Sequence, residues 1–153
     1  MKSVILIVLS WLFYQSGPSD FYVALASDSL PVLKRELIRL ESLAPSSQVL
    51  AYKGAMIMRT SAFEKTVKAK IDVFKKGHEL LETAIAKDPE NVEYRFLRLA
   101  VQEHVPGVLK YNKDIDADKA FIIASYSALS EQLQKRIWGY AQKSKILSPS
   151  DLK

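Results

Sequence analysis

Gly77-His78-Glu79-Leu80-Leu81-Glu82-Thr83-Ala84-Ile85-Ala86-Lys87-Asp88-Pro89-Glu90-Asn91 decides the fold. Ile71, Phe74, Gly77, His78, Leu81, Ala84 and Ile85 recur at three- and four-residue spacing, which predicts an amphipathic helix over residues 70–87. Pro89 lacks the N–H needed to continue that helix, and Asn91 is a natural N-cap for another from Val92 to about Glu103. The segment 88–91 therefore closes one helix and opens the next.

The same period runs outward in both directions. Upstream, residues 20–26 read as a short helix. Ser29 can cap a second helix with Pro31 in its first turn, and Leu30, Leu33, Leu37, Leu40 and Ala44 form its inner face. Pro45-Ser46-Ser47 ends it. A third helix, over about 48–62, lines one side with Ala51, Gly54, Ala55 and Met58, while basic residues 63–69 read as a loop. Downstream, Val105-Pro106-Gly107 is a break, and residues 108–113 form an irregular connector carrying Tyr111 and Asn112. A sixth helix over 116–128 would turn Ala117, Ala120, Phe121 and Ala124 inward. Ser130 caps a seventh, with Leu133, Ile137, Tyr140 and Ala141 facing the core, and Ser148-Pro149-Ser150-Asp151 closes the domain. No stretch alternates apolar and polar residues long enough for a sheet. The expectation is an all-α protein of six or seven helices in one domain over 20–153.

Gly77, Leu81, Ala84, Pro89 and Asn91 resemble the second helix and closing turn of a tetratricopeptide repeat. Small residues at two of these positions admit a partner helix, Leu81 fills the gap and Pro89 turns the chain. The resemblance implies antiparallel helix pairs stacked as a TPR-like α-α superhelix, a form that binds proteins or peptides along its curved surface. It covers about half a repeat, and the preceding helix, with Tyr52 and Gly54, matches only loosely. The following helix departs from the pattern, with Arg95, Arg98 and Gln102 in place of large apolar residues and glycine. The asparagine and lysine set that grips a peptide carboxylate in some repeat proteins is not recognisable. As a whole the chain resembles small exported helical proteins of the Bacteroidetes, a resemblance that implies architecture and localisation only.

The N-terminus reads as an export signal. Lys2 precedes an uncharged apolar run from Ser3 to Tyr14, and Gln15-Ser16-Gly17-Pro18-Ser19 breaks it with small and turn-forming residues. The run is shorter than the roughly 20 apolar residues a membrane span needs, which favours a cleaved signal over an anchor. Ala24-Leu25-Ala26 offers an A-x-A cleavage site, but it lies within the expected first helix, so a cut near Gly17 to Ser19 is preferred and residues 1–19 are assigned to the signal. The expected location is periplasmic or extracellular. The chain has no cysteine, which excludes disulfides, thiolate chemistry and lipid attachment at a cleavage-site cysteine.

The net charge is +5, and losing Lys2 leaves +4. Lysines concentrate at Lys65, Lys68, Lys70, Lys75 and Lys76, and basic residues again at Lys135, Arg136, Lys143 and Lys145. Interspersed acids such as Glu64 and Asp72 make these solvated helical faces first and anionic-surface contacts second. Nucleic acid is not an expected partner; weak contact with an anionic membrane is the alternative to a protein or peptide partner.

No catalytic set, cofactor motif or metal site is readable, and the expectation is a protein that is not an enzyme. His78 with Glu82 lacks further ligands, and His104 is a helix-end residue. No G-x-S-x-G elbow or phosphate-binding glycine loop occurs. Asp114, Asp116 and Asp118 alternate like a calcium loop without its glycine or closing glutamate, and read better as acids at a helix start. The candidate partner-binding residues are Arg95, Arg98 and Gln102, on one helix face, with Tyr111 and Asn112 of the connector. Two guanidiniums on a largely apolar helix require either internal carboxylates (Glu79, Glu82, Asp116 or Asp118) or an anionic ligand.

Overall fold

In the computed structural model, described for residues 18–106 and 109–153, the chain forms seven α-helices and no strand among those residues. They are α1 Pro18–Leu25, α2 Leu30–Glu41, α3 Ser47–Thr60, α4 Val67–Lys87, α5 Val92–His104, α6 Ile115–Ser125 and α7 Glu131–Ala141. Short 3₁₀ turns follow α3 at Ser61–Phe63 and α6 at Tyr126–Ala128, and a third lies at Pro149–Asp151. The apolar run Ser3–Tyr14 and its exit through Gly17 lie outside the described residues. No described helix is long and apolar enough to cross a membrane.

Capping sets where the helices begin. Ser46, Thr66, Asn91 and Ser130 each accept a backbone N–H from the residue three further on. The Thr66 cap starts α4 at Val67, inside the stretch expected to be a loop. Ser29 holds the N-cap position of α2 but its side chain caps nothing; its own N–H donates to Ser27 Oγ. Pro31 removes one of the donors a cap would bind. Helix α2 ends at Glu41, so Ala44 lies beyond it and is exposed rather than part of the inner face.

The tightest joint in the molecule is between α3 and α4. A Cβ on Gly54 would lie 2.7 Å from the Gly77 carbonyl oxygen and from the Leu81 nitrogen, and one on Gly77 would lie 2.5 Å from the Gly54 oxygen. Gly54 thus faces Gly77 and Leu81, and Gly77 faces Gly54 and Met58, so the two helices run antiparallel with their backbones touching.

Helix α5 is central. Its Tyr94 and Leu97 join a first core with Phe21, Leu33, Leu40, Ala55, Met56 and Leu81 of α1 to α4. Its Val92, Phe96 and Leu99 join a second core with Ile122, Ile137, Leu147 and Leu152. Burial on two sides explains why α5 is apolar round most of its circumference. Phe21 of α1 is fully buried and stacks on Tyr52 at 3.9 Å between ring centroids. Tyr22 and Tyr52 both donate to Glu93 Oε1, at 2.7 and 2.6 Å. Burial and the Glu93 carboxylate push both phenols well above their ordinary pKa, which keeps them protonated as donors.

Helix α6 corrects one expectation. Ala117, Ala120 and Ala124 are exposed; Phe121 is half-buried against the second core as expected, and the fully inward residues are Asp118 and Ile122. A carboxylate occupies the inner face because α5 presents guanidiniums to it.

Glycine substitution separates two environments. Gly54→Ala or Gly77→Ala is expected to cost about 2 kcal/mol or more, because backbone atoms must move apart. Gly139 has nothing within 4 Å of a Cβ, so Gly139→Ala is expected to stabilise by about 0.5–1 kcal/mol through helix propensity. Urea denaturation of the three variants reads both signs.

Candidate functional site

The structure brings Arg95, Arg98, Gln102 and Tyr111 together, but around internal carboxylates. Arg98 is 7% exposed and grips the fully buried Asp118 with two bonds, Nε to Oδ2 and Nη2 to Oδ1, each 2.7 Å. Its Nη1 donates to Glu82 Oε2 at 2.9 Å and lies 3.7 Å from Asp114 Oδ2. Burial works against the Arg98 charge, but Asp118, Glu82 and Asp114 outweigh it and hold the guanidinium protonated. Arg95 donates to the Pro89 carbonyl at 2.9 Å, reaches Asp118 Oδ1 at 3.3 Å and stacks its guanidinium over Phe121. Tyr111 packs on Phe74 and His78 and donates to Glu82 Oε1 at 2.8 Å. Gln102 is buried, its Nε2 at 3.5 Å from Asp114 Oδ2 and its Oε1 without a partner. Asn112 is exposed on the connector.

Internal pairing therefore accounts for the two arginines. Of the four carboxylates expected to serve them, Glu82 and Asp118 do, and Asp114 joins them from the start of α6. Asp114 at the N-cap and Asp118 in the first turn of α6 are helix-start acids as expected, and both also partner Arg98; Asp114 makes no side-chain cap. No group of three or more His, Asp or Glu among the described residues is placed to hold a metal ion. His104 Nδ1 contacts the Ala100 carbonyl, and His78 lies 3.7 Å from Glu82 Oε1. On the two basic faces, Lys68 pairs with Asp72 and Lys135 with Glu131.

A second feature has the shape of a binding site. An apolar groove of about 790 Å³ opens over α5, between the two cores. Leu97, Ala100 and Val101 of α5 face it, with Tyr22 and Leu25 of α1, Met58 of α3 and Phe74 of α4 to one side. Arg136, Tyr140 and Lys143 of α7 and its following turn close the other. This volume lies in the range of small-molecule pockets, about 300–1,000 Å³. The α7 wall is fixed by Glu103, which accepts the Tyr140 hydroxyl, the Ser144 hydroxyl and the Lys145 N–H. Burial opposes the Glu103 charge, but these three donors outweigh it and hold its carboxyl below the ordinary value.

The apolar wall residues read in sequence as ordinary core; the one local hint is the pair Ala100-Val101, apolar on a helix whose other two faces are already spoken for. No family model matches the chain, and comparison with curated proteins and with solved structures finds no relative of either kind.

Two stability measurements probe these clusters. Asp118→Ala strands Arg98 in the interior and is expected to cost about 3–5 kcal/mol. Glu82→Ala is expected to cost less, because Glu82 is 32% exposed and water replaces it. Glu103, with its lowered folded pKa, adds stability that is complete above its unfolded value of about 4.3 and is lost as the pH falls through the folded value. The stability gap between wild type and Glu103→Gln should be full at neutral pH and shrink progressively below about pH 4.3 in urea titrations.

Proposed function

We propose that this chain is an exported, non-enzymatic binding module that receives its partner in the groove over α5. The observation that carries this is the groove itself: a formed apolar hollow floored by a rigid central helix and walled by side chains already held in place. The expected partner residues Arg95, Arg98, Gln102 and Tyr111 are engaged internally, which moves the binding role to the opposite side of α5. A non-catalytic role is supported by the use of His104 and Tyr140 as structural contacts. Removal of residues 1–19 on export is supported by the burial of Phe21 and Ala24: a cut after Ala26 would take Phe21 out of the core and Tyr22 off Glu93.

One preparation tests both parts. The exported protein, isolated from its producing cells, should begin upstream of Phe21 on N-terminal sequencing and enhance the fluorescence of the neutral apolar dye Nile red. Ala62→Trp, on the exposed turn at the groove edge, should abolish the enhancement with an unchanged circular-dichroism melt. A chain beginning at Ser27, or dye binding indifferent to Ala62→Trp, overturns the proposal.

A further inference from the structure

We infer that the groove takes a single-chain amphipathic anion of the fatty-acid type, with its acyl tail along α5 and its carboxylate at Arg136 and Lys143; this rests on the groove being the binding site. The charge of the wall is one-sided. Arg59, Lys70, His104, Arg136 and Lys143 line it, and among the described residues no aspartate or glutamate does. Three of these five are already engaged: Arg59 with Asp28 and the Ser27 carbonyl, Lys70 with the Ala62 carbonyl, and His104 with the Ala100 carbonyl. Arg136 and Lys143 have no ion pair among the described residues. Both stand on the α7 side. Arg136 lays its flat face over the Tyr22 ring, 4.0 Å from the centroid, which leaves the N–H edge of the guanidinium for a carboxylate.

The wall also selects the kind of body that can lie there. A peptide brings one N–H and one C=O per residue, and each must find a partner when buried. The hydroxyls lining the groove are already spent: Ser61 donates to the Met58 carbonyl, Ser144 to Glu103, and Tyr22 and Tyr140 to Glu93 and Glu103. An acyl chain brings no polar group to satisfy, and the flexible Met58 adapts to its path. Its one polar end meets the two unpaired cations.

The test uses 11-dansylaminoundecanoic acid and its methyl ester, titrated into the exported protein and followed by dansyl fluorescence, with palmitate as competitor. The acid should bind at least tenfold more tightly than the ester, be displaced by palmitate, and lose most of that advantage in Lys143→Glu and in Arg136→Gln. Ala62→Trp should weaken acid and ester together. Equal binding of acid and ester, with Nile red still bound, overturns the anion and leaves the groove as a binding site. Failure of the acid, the ester and Nile red alike overturns both. Displacement of the probe by a synthetic peptide of residues 1–17 at lower concentration than palmitate would make the apolar leader the occupant and overturn the inference. Lys143 lies in the exposed turn after α7, so a loss of binding there with an unchanged melt is a loss of charge and not of fold.

Discussion

The fold hangs on the fork of Arg98 over Asp118. One guanidinium in the middle of α5 collects α4 through Glu82 and α6 through Asp118 and Asp114. Glu82 in turn holds the connector through Tyr111. Desolvation consumes much of what such a buried pair gains, so the cluster is not a large net source of stability. What the cluster supplies is direction. Asp118 can face only the side of α5 that carries the guanidiniums, which fixes the rotation of α6 about its own axis, and the short apolar helix has no strong stripe to do so.

With α6 claimed by the arginine face and two further faces of α5 buried in separate cores, the groove follows as a geometric remainder. The first core closes over α5 from α1 to α4; the second closes from α6, α7 and the C-terminal turns. Where the two bodies lean apart, α5 is left as a floor. Its walls are stiffened from behind by carboxylates that do not line it, Glu93 under Tyr22 and Glu103 under Tyr140. Acid is thereby present near the groove but turned away from it, and the side presented to a ligand is basic.

Local physics carried much of the fold into the sequence. The α4–α5 joint was readable because Pro89 and Asn91 act on their own neighbours, and the Gly54 and Gly77 positions were readable as places for close approach. The inner face of α6 was not. Choosing a face by apolarity selects Ala117, Ala120 and Ala124, and nothing within the helix announces that a buried carboxylate is wanted; that demand comes from Arg98, twenty residues away. Ala44 was misplaced for a smaller reason, since helix α2 stops before the proline that seemed to end it. The groove escaped entirely. Five helices each contribute residues that would suit a core, and only their relative placement leaves them uncovered.

The Glu93 anchor also orders events in time. Its two phenol donors lie 71 and 41 residues earlier in the chain, whereas the Gly54–Gly77 contact joins neighbouring helices. Loop-closure entropy grows with the span to be closed, so the α3–α4 hairpin is the cheaper first event and the docking of α1 a later one. Helix α1 is therefore captured after that hairpin, and its capture depends on a glutamate that emerges well after it. A chain emerging N-terminus first from the ribosome would carry that latch open until α5 has been made.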